Sequence, residues 1–446
     1  MTFDLIVIGT GTAAATAAQR CAGAGWRVAV IDHLPYGGTC ALRGCDPKKV
    51  LMGVVEALDD ARRMRGRGLS GDVSIDWREL MAFKRSFTEP VPANVEQSFR
   101  SKEMATYHGR ARFAGPRSVE VGSERLDGRF VLIATGAEPV PLRIPGEEHL
   151  VTSAEFLELE QLPAHIALVG GGYIAAEFSH IAARAGARVS VLQRGERMLE
   201  SFDADLVAWL TDKSRAIGID VRLKTNVERI ERTSGGFAVH AVTAQQRESF
   251  PADLVVHAAG RAADLDSLHL DVGGIESEQG RLKLNDYLQS VSNPAVYAAG
   301  DAAATGPPLT PVAAHEGRVA SANILKGNHR KPNYLGVPSV AFTIPPIAAV
   351  GLTEASAQAQ GLKFRTRVKK ASGWYTARRV VEPTYGFKVL VEEGTGRILG
   401  AHLVGPHADE VINVFAFAIR TGRSAKDLQD AIFAYPTGAS DIGYML

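Results

Sequence analysis

Cysteine is scarce in this chain: 446 residues contain only three, Cys21, Cys40 and Cys45. Three thiols in so long a chain do not make the disulfide framework that staples small secreted folds. A surplus of charge is missing as well, since 50 lysines and arginines face 49 aspartates and glutamates for a formal net charge of +1. Without a basic surplus to neutralise phosphates, a nucleic-acid partner is not expected, although a local basic pocket stays open. No apolar run approaches the roughly 20 residues that cross a bilayer, so no membrane partner is expected either. The opening Phe3-Asp4-Leu5-Ile6-Val7-Ile8 follows no basic stretch and no small-residue cleavage site, and the chain therefore reads as cytoplasmic.

What is present is ordinary in bulk and specific in detail. Hydrophobic residues make up 46% and charged residues 22%, as in globular proteins, and the length suggests about three domains. The segment DLIVIGTGTAAATAAQRCAGAGWRVAVIDH reads as a buried strand, a glycine turn, an alanine-rich helix and a second strand. In its GxGxxA, Gly9 allows the tight turn, Gly11 lets a pyrophosphate approach the helix N-terminus, and Ala14 keeps helix and strand close. Asp32 follows about 20 residues on, where a carboxylate can accept hydrogen bonds from a ribose. Cys21, inside the helix, reads as a small core residue.

One such fingerprint is a weak signal, but HIALVGGGYIAAEFSHIAARAGARVSVLQR repeats it with Gly170, Gly172 and Ala175. Two units suggest two nucleotides. The second strand ends in Leu192-Gln193-Arg194 with Arg197 beyond, so no acid stands where Asp32 stands in the first unit. Guanidinium groups there can pair a 2′-phosphate, which favours NADPH over NADH. A third strand ends in the Gly300-Asp301 turn. VLIATGAEPVPL and LVVHAAGRAAD read as strands where the chain passes from one unit to the next. From Tyr334 onward FKVLVEE, ILGAHLVG and DEVINVFAFAIR predict an antiparallel sheet with helices.

The remaining conspicuous stretch is GGTCALRGCDPKK, residues 37–49. Zinc would require four ligands, usually with closer cysteine spacing, and no second cysteine pair or histidine cluster supplies them. A structural staple and a redox pair stay open, and such a pair in a cytosolic chain is more often catalytic. On one regular helix, Cα atoms five residues apart lie roughly 8 to 9 Å from each other, whereas a disulfide needs less than about 7 Å. A bond between Cys40 and Cys45 thus requires a distorted turn, for which Gly44 and Pro47 are suited.

Together these pieces resemble the pyridine nucleotide-disulfide oxidoreductases, flavoproteins that include glutathione reductase, dihydrolipoamide dehydrogenase and mercuric reductase. The most specific mark is GGTCALRGCDPKKVL, similar to the family's GGTCxxxGCxPxK, with AAGD and TPVAAHEGR in family order. The resemblance spans essentially the whole chain. It implies an α/β fold of two Rossmann-like dinucleotide-binding domains, for FAD and NAD(P)H, plus a C-terminal α+β dimerisation domain. The expected boundaries are 1–148 and 266–332 for the FAD domain, 149–265 for the NAD(P)H domain and 333–446 for the interface domain.

By that resemblance FAD is held by Gly9, Gly11, Thr12, Ala13 and Ala14, with Asp32 on the adenosine ribose, Asp301 on the ribityl chain, and Thr39 and Gly136 beside them. The nicotinamide nucleotide falls to Gly170, Gly172, Tyr173, Ile174, Arg194, Arg197 and Gly260. Tyr173 matches the aromatic residue that covers the flavin until nicotinamide displaces it. Glu177 matches the carboxylate that pairs with a lysine near the flavin, here Lys48 or Lys49. Cys40 matches the interchange thiol and Cys45 the charge-transfer thiol. A homodimer is implied, each active site being completed by the partner subunit.

The chain departs from the family at FAYPTGASDIGYML. Where HPTxxE is usual, Tyr435 replaces the histidine and Ser440 the glutamate, with Asp441 next to it. An imidazolium of pKa about 6.5 protonates a leaving thiolate of about 8.5 downhill, whereas a phenol near 10 does so uphill, a swing of about 5 kcal/mol in driving force. Mercuric reductases also carry tyrosine here, but their C-terminal cysteine pair is absent. The arginines that hold glutathione fall on Gln19 and Asn323. Lipoamide is disfavoured by the lost histidine and by the missing acid after Val191.

The expectation is an NADPH-preferring, FAD-dependent disulfide oxidoreductase acting through Cys40 and Cys45, with NADH less favoured and no resident metal. Its acceptor is a small-molecule or protein disulfide, a metal ion or a quinone. The alternatives are a mercuric or other metal-ion reductase, and a redox-sensing flavoprotein that is not an enzyme.

Overall fold

Strand Thr2–Ile8, the opening apolar run, is buried on both faces, and its side chains alternate between two layers. Ile6 and Ile8 join Ile31, Val131 and Ile133 on one side, while Leu5 and Val7 join Val28, Val30 and Leu132 on the other. A computed structural model describes residues 2–243 and 246–446, in two units. The first unit comprises the segment ending at Lys48, Ala82–Val140 and Arg261–Tyr334; the second comprises Lys49–Met81, Pro141–Gly260 and Leu335–Leu446.

In the first unit, strands Ala105–His108, Val28–Asp32, Thr2–Ile8 and Glu124–Ile133 lie parallel in that order, and Val296–Ala298 pairs with Glu124–Ile133. Helix Thr12–Gly23 lays Ala13, Ala14, Ala17, Ala18 and Cys21 on this sheet. Small side chains bring the two backbones close. Cys21 is fully buried, and desolvation raises its thiol to about 12, which leaves it a packing residue.

The second unit repeats the plan with Asp220–Arg222, Arg188–Leu192, His165–Val169 and Leu254–His257 in a parallel sheet, followed in the fingerprint by helix Tyr173–Arg184. Its C-terminal part is an antiparallel sheet in the order Ser339–Ala341, Ile347–Gly351, Ile398–Val404, Gly386–Glu392, Phe364–Lys370. Helix Ala408–Thr421 covers it with Val411, Ile412, Phe415, Ala418 and Ile419, one apolar stripe at helical spacing. Among the described residues no helix is long and apolar enough to cross a membrane.

A buried ion network ties the helices of the second unit. Asp59, on helix Cys45–Arg63, lies 2.7 Å from Arg184 Nε and 2.8 Å from Arg63 Nε, and Arg184 also donates to the Ile344 carbonyl at 3.1 Å. Burial alone would raise the Asp59 carboxyl, but the two guanidiniums outweigh it and hold it below the ordinary carboxylate value. The contribution of the pair is therefore present above the ordinary carboxylate range and lost as pH falls through the lowered value. Asp59→Ala should cost about 3 kcal/mol of unfolding free energy by leaving Arg184 buried without its partner. Urea denaturation checks this, and a loss below about 1 kcal/mol would show that the network is dispensable.

Candidate active site

Cys40 and Cys45 do not share one distorted helix. Helix Gly38–Arg43 ends at Gly44, whose φ of −148° and ψ of −111° leave the helical region, and a new helix starts at Cys45. A Cβ on Gly44 would stand 3.0 Å from the Thr39 carbonyl oxygen, a tight contact that glycine avoids. Cys45 thereby becomes the first residue of helix Cys45–Arg63, where unpaired backbone N–H groups and the helix dipole favour negative charge.

Both cysteines are free thiols here, Cys40 half-buried and Cys45 exposed. Their acidities are split. The Cys40 thiol donates to Cys45 and thereby pulls Cys45 down to about 6; burial opposes this, while the Thr310 hydroxyl and the Lys48 charge assist and Asp46 opposes. Cys45 Sγ and Thr310 Oγ1 are 3.5 Å apart. Cys40 is pushed up, first by that same hydrogen bond and then by burial. Its sulfur also lies 3.9 Å from Asp46 Oδ1.

The two lysines occupy different surroundings. Lys48 is buried in the first turn of the helix that starts with Cys45. Lys49 is largely exposed, 3.9 Å from Asp409 and with its ammonium 4.1 Å above the Phe342 ring. Glu177 is buried on helix Tyr173–Arg184 and accepts a hydrogen bond from Phe342 N at 2.8 Å.

The first glycine turn is a cradle without side chains. Gly9, at φ +114°, has no room for a Cβ against the Ala134 carbonyl, and a Cβ on Gly38 would collide with Gly11 Cα. Gly11 N-caps the helix that begins at Thr12, with no acid in its first turn and, among the described residues, no side-chain cap. That leaves N–H groups open to a pyrophosphate, and Ala13 and Ala14 are small enough to let it approach. Asp32 accepts from Thr10 Oγ1 at 2.6 Å and Leu34 N at 2.9 Å, at the strand end where a ribose would sit. Thr39 lies on the short helix, and Gly136 is left-handed at φ +79°. Asp301 occupies a turn after strand Val296–Ala298; burial raises its carboxyl while Arg261 opposes that shift. These residues fit a dinucleotide.

The second turn has the same register. Gly170 N donates to the Leu192 carbonyl at 2.9 Å as Gly9 N donates to that of Ile31 at 2.7 Å, which makes Gln193 the counterpart of Asp32. Gln193 is buried and donates to the Arg197 carbonyl and Glu200 Oε1, both at 3.2 Å. Arg194 is exposed. Arg197 donates from one terminal nitrogen to the Glu200 carbonyl at 2.7 Å, and its buried Nε has no partner among the described residues. Gly172 N-caps the next helix, Tyr173 packs against Phe202 with ring centroids 5.5 Å apart, Ile174 is half-buried and Gly260 has φ +115°.

At the C-terminal end Tyr435 is 80% exposed. Ser440 forms a capping pair with Thr437, and Asp441 accepts from Tyr385 Oη at 2.7 Å, so both are engaged elsewhere. Asn323 is also engaged: it donates to the Tyr287 and Arg330 carbonyls and accepts from His329 N and Arg330 N, which uses its whole amide. Among the described residues no group of three or more His, Cys, Asp or Glu side chains is placed to hold a metal ion. Sequence reasoning missed Thr310 and Arg261. Thr310 opens the TPVAAHEGR block, and Arg261 follows the Gly260 turn; a polar residue next to each motif was the available signal.

Residues 3–317 match the family described as pyridine nucleotide-disulphide oxidoreductase, and residues 337–445 match its dimerisation domain. The chain is 34% identical to glutathione reductase of Burkholderia cepacia, over 98% of this chain and 97% of that protein. It is 31% identical to mercuric reductase of Staphylococcus aureus, over 99% of this chain and 81% of that protein. Among solved structures, the Cu(II) complex of the HOCl-induced flavoprotein disulfide reductase RclA from Escherichia coli superposes with a TM-score of 0.89 at 26% identity, covering 100% of this chain and 99% of that one.

In the reduced protein, alkylation of Cys45 should follow a titration near pH 6: fast above it, where the thiolate exists, and slow below it. Cys40→Ala removes the donor and should move that midpoint upward by about one unit or more. Peptide mass spectrometry after timed iodoacetamide pulses measures both, and an unchanged midpoint in the variant would refute the assigned donor.

Proposed function

The chain belongs to the pyridine nucleotide-disulphide oxidoreductases, and on that premise we propose that it is an FAD-dependent, NADPH-preferring reductase working through Cys40 and Cys45. The observation that carries this reading is the unequal pair of thiols at a helix N-terminus, one raised and the other near 6. FAD would be held by Gly9, Gly11, Thr12, Ala13 and Ala14, with Asp32, Thr39, Gly136 and Asp301. When bound, FAD supplies two-electron transfer between a hydride donor and a dithiol. Two electrons arriving at the oxidised pair break the bond between the Cys40 and Cys45 sulfurs. One proton goes to Cys40, and Cys45 remains a thiolate steadied by Thr310 and Lys48. An acceptor that takes both electrons releases that proton and restores the bond.

Lys48 and Lys49 are the candidates for the lysine partnered with Glu177, and Lys49 already faces Asp409 and Phe342. Tyr173 would cover the flavin until the nicotinamide arrives. Preference for NADPH is supported by Gln193 at the place of Asp32 and by Arg194, exposed one residue later. A homodimer fits the matched dimerisation domain and the exposed large side chains Phe417, Ile432 and Tyr435 within it. Tyr435 would then stand in the partner subunit's site. Arg194→Ala should lower kcat/KM for NADPH about tenfold and change that for NADH less than about twofold, as expected for one charge-assisted bond to a 2′-phosphate. Equal losses with both nucleotides would count against this specificity.

A metal-ion acceptor is the second reading, favoured by a specific observation. Tyr435 stands at the place of the family's histidine, while Ser440 caps a turn and Asp441 holds Tyr385, so these residues do not form the usual histidine–carboxylate pair. A disulfide acceptor needs a proton for its leaving thiolate, whereas a soft metal ion bound by two thiolates does not. The likeness to a mercuric reductase and to a copper-complexed RclA points the same way. With purified dimer and NADPH, Hg(II) in excess thiol or Cu(II) should be reduced at least about tenfold faster than glutathione disulfide. Faster turnover with the disulfide would reverse the order of the two readings.

A further inference from the structure

The TPVAAHEGR block carries more than the threonine beside Cys45. On helix Thr310–Lys326, Glu316 is 1% exposed and its carboxylate accepts three hydrogen bonds. They come from Gly300 N at 2.7 Å, Thr305 Oγ1 at 3.0 Å and Tyr334 Oη at 2.6 Å. Gly306 makes room for this arrangement, because a Cβ there would press into the Tyr334 ring and come within 3.0 Å of Glu316 Oε1.

The neighbouring backbone is held just as closely. A Cβ on Gly317 would meet the Ala13 carbonyl oxygen at 2.5 Å, so this helix lies directly on the helix that follows the first glycine turn. Gly300 has φ +72°, and a Cβ on it would approach that of Ala13 to 3.1 Å. The Gly300 peptide is thus packed against Ala13 and gripped at its N–H by Glu316. The next residue is Asp301.

We propose that Glu316 is a positioning residue for the flavin site, fixing the Gly300 peptide and thereby the direction in which Asp301 presents its carboxylate to the cofactor. The inference rests on the reading of Asp301 as a residue that holds FAD. The Gly300 N–H needs an acceptor at this place; a glutamine could supply one by turning its N–H2 to the Thr305 and Tyr334 hydroxyls, whereas a leucine supplies none.

The test follows the release of FAD from the diluted holoenzyme by the rise in flavin fluorescence. Glu316→Leu, which leaves the Gly300 N–H without an acceptor, and Asp301→Asn should each speed release about tenfold, the size expected when one buried hydrogen-bonding group loses its partner. The double variant E316L/D301N should release FAD within about twofold of D301N alone, since Glu316 acts through Asp301. The double variant T305V/Y334F, which keeps the Gly300 contact, should stay within about threefold of the native protein. Additive effects in E316L/D301N, or a T305V/Y334F variant that loses FAD as fast as E316L, would overturn the proposal. So would a lowered melting temperature of the flavin-free E316L protein with FAD release unchanged. If D301N weakens retention and E316L does not, the inference fails while the cofactor reading stands; if D301N is itself silent, both fail. Should E316L not fold, T305V/Y334F still decides, because FAD loss in a folded variant that keeps the Gly300 bond contradicts the proposal.

Discussion

Much of the first unit depends on one steric constraint: two backbone segments meet where no side chain can fit. Gly38, which opens the helix carrying Cys40, lies so close to Gly11 that a single Cβ would collide. Gly9 sits equally close to the Ala134 carbonyl, and Gly317 to that of Ala13. The nucleotide turn, the cysteine segment and the Thr310–Lys326 helix are therefore held together by missing atoms. A methyl group at any of these points would force the backbones apart, and the groups that bear the chemistry would move with them.

Electrostatic asymmetry is built on that packing. The helix break at Gly44 places Cys45 at a helix start and leaves Cys40 on the preceding turn, so two chemically identical thiols acquire opposite tendencies. Each neighbour has a definable part: Cys40 and Thr310 give hydrogen bonds to the Cys45 sulfur, Lys48 gives charge, and Asp46 works against them. The same logic operates at the other end of the chain with the opposite outcome. Tyr435 stands exposed, and the polar groups that follow it are committed to a turn cap and to Tyr385. The chemistry of the cysteines is thus tuned, while Ser440 and Asp441 are spent on local structure.

The two fingerprints, their strands and the antiparallel C-terminal sheet were legible because each rests on local pattern: buried strands, glycine where φ is positive, and alternation or helical spacing of apolar residues. The cysteine pair was legible from its spacing and flanking residues. Less visible was what distant segments contribute. Thr310 and Arg261 lie hundreds of residues from Cys45, and no local signal ties them to it. Lys48 and Lys49 are equivalent as letters; only the helix phase buries one and turns the other towards Asp409. Asn323 reads as an ordinary polar residue on a helix, and its four hydrogen bonds to the backbone could not be counted from the sequence.

The sequence by itself determined the elements and the reaction class, since glycine, cysteine and apolar periodicity act through neighbours along the chain. Tertiary structure decided the rest. It split what had been read as one distorted helix into two at Gly44, which fits closely beside the Thr39 carbonyl. It turned Gln193 inward to Glu200 and left Arg194 outside. It gathered Gly300, Thr305 and Tyr334 around the Glu316 carboxylate. Such choices depend on which groups are desolvated together, and desolvation is a property of the folded chain rather than of any stretch of it.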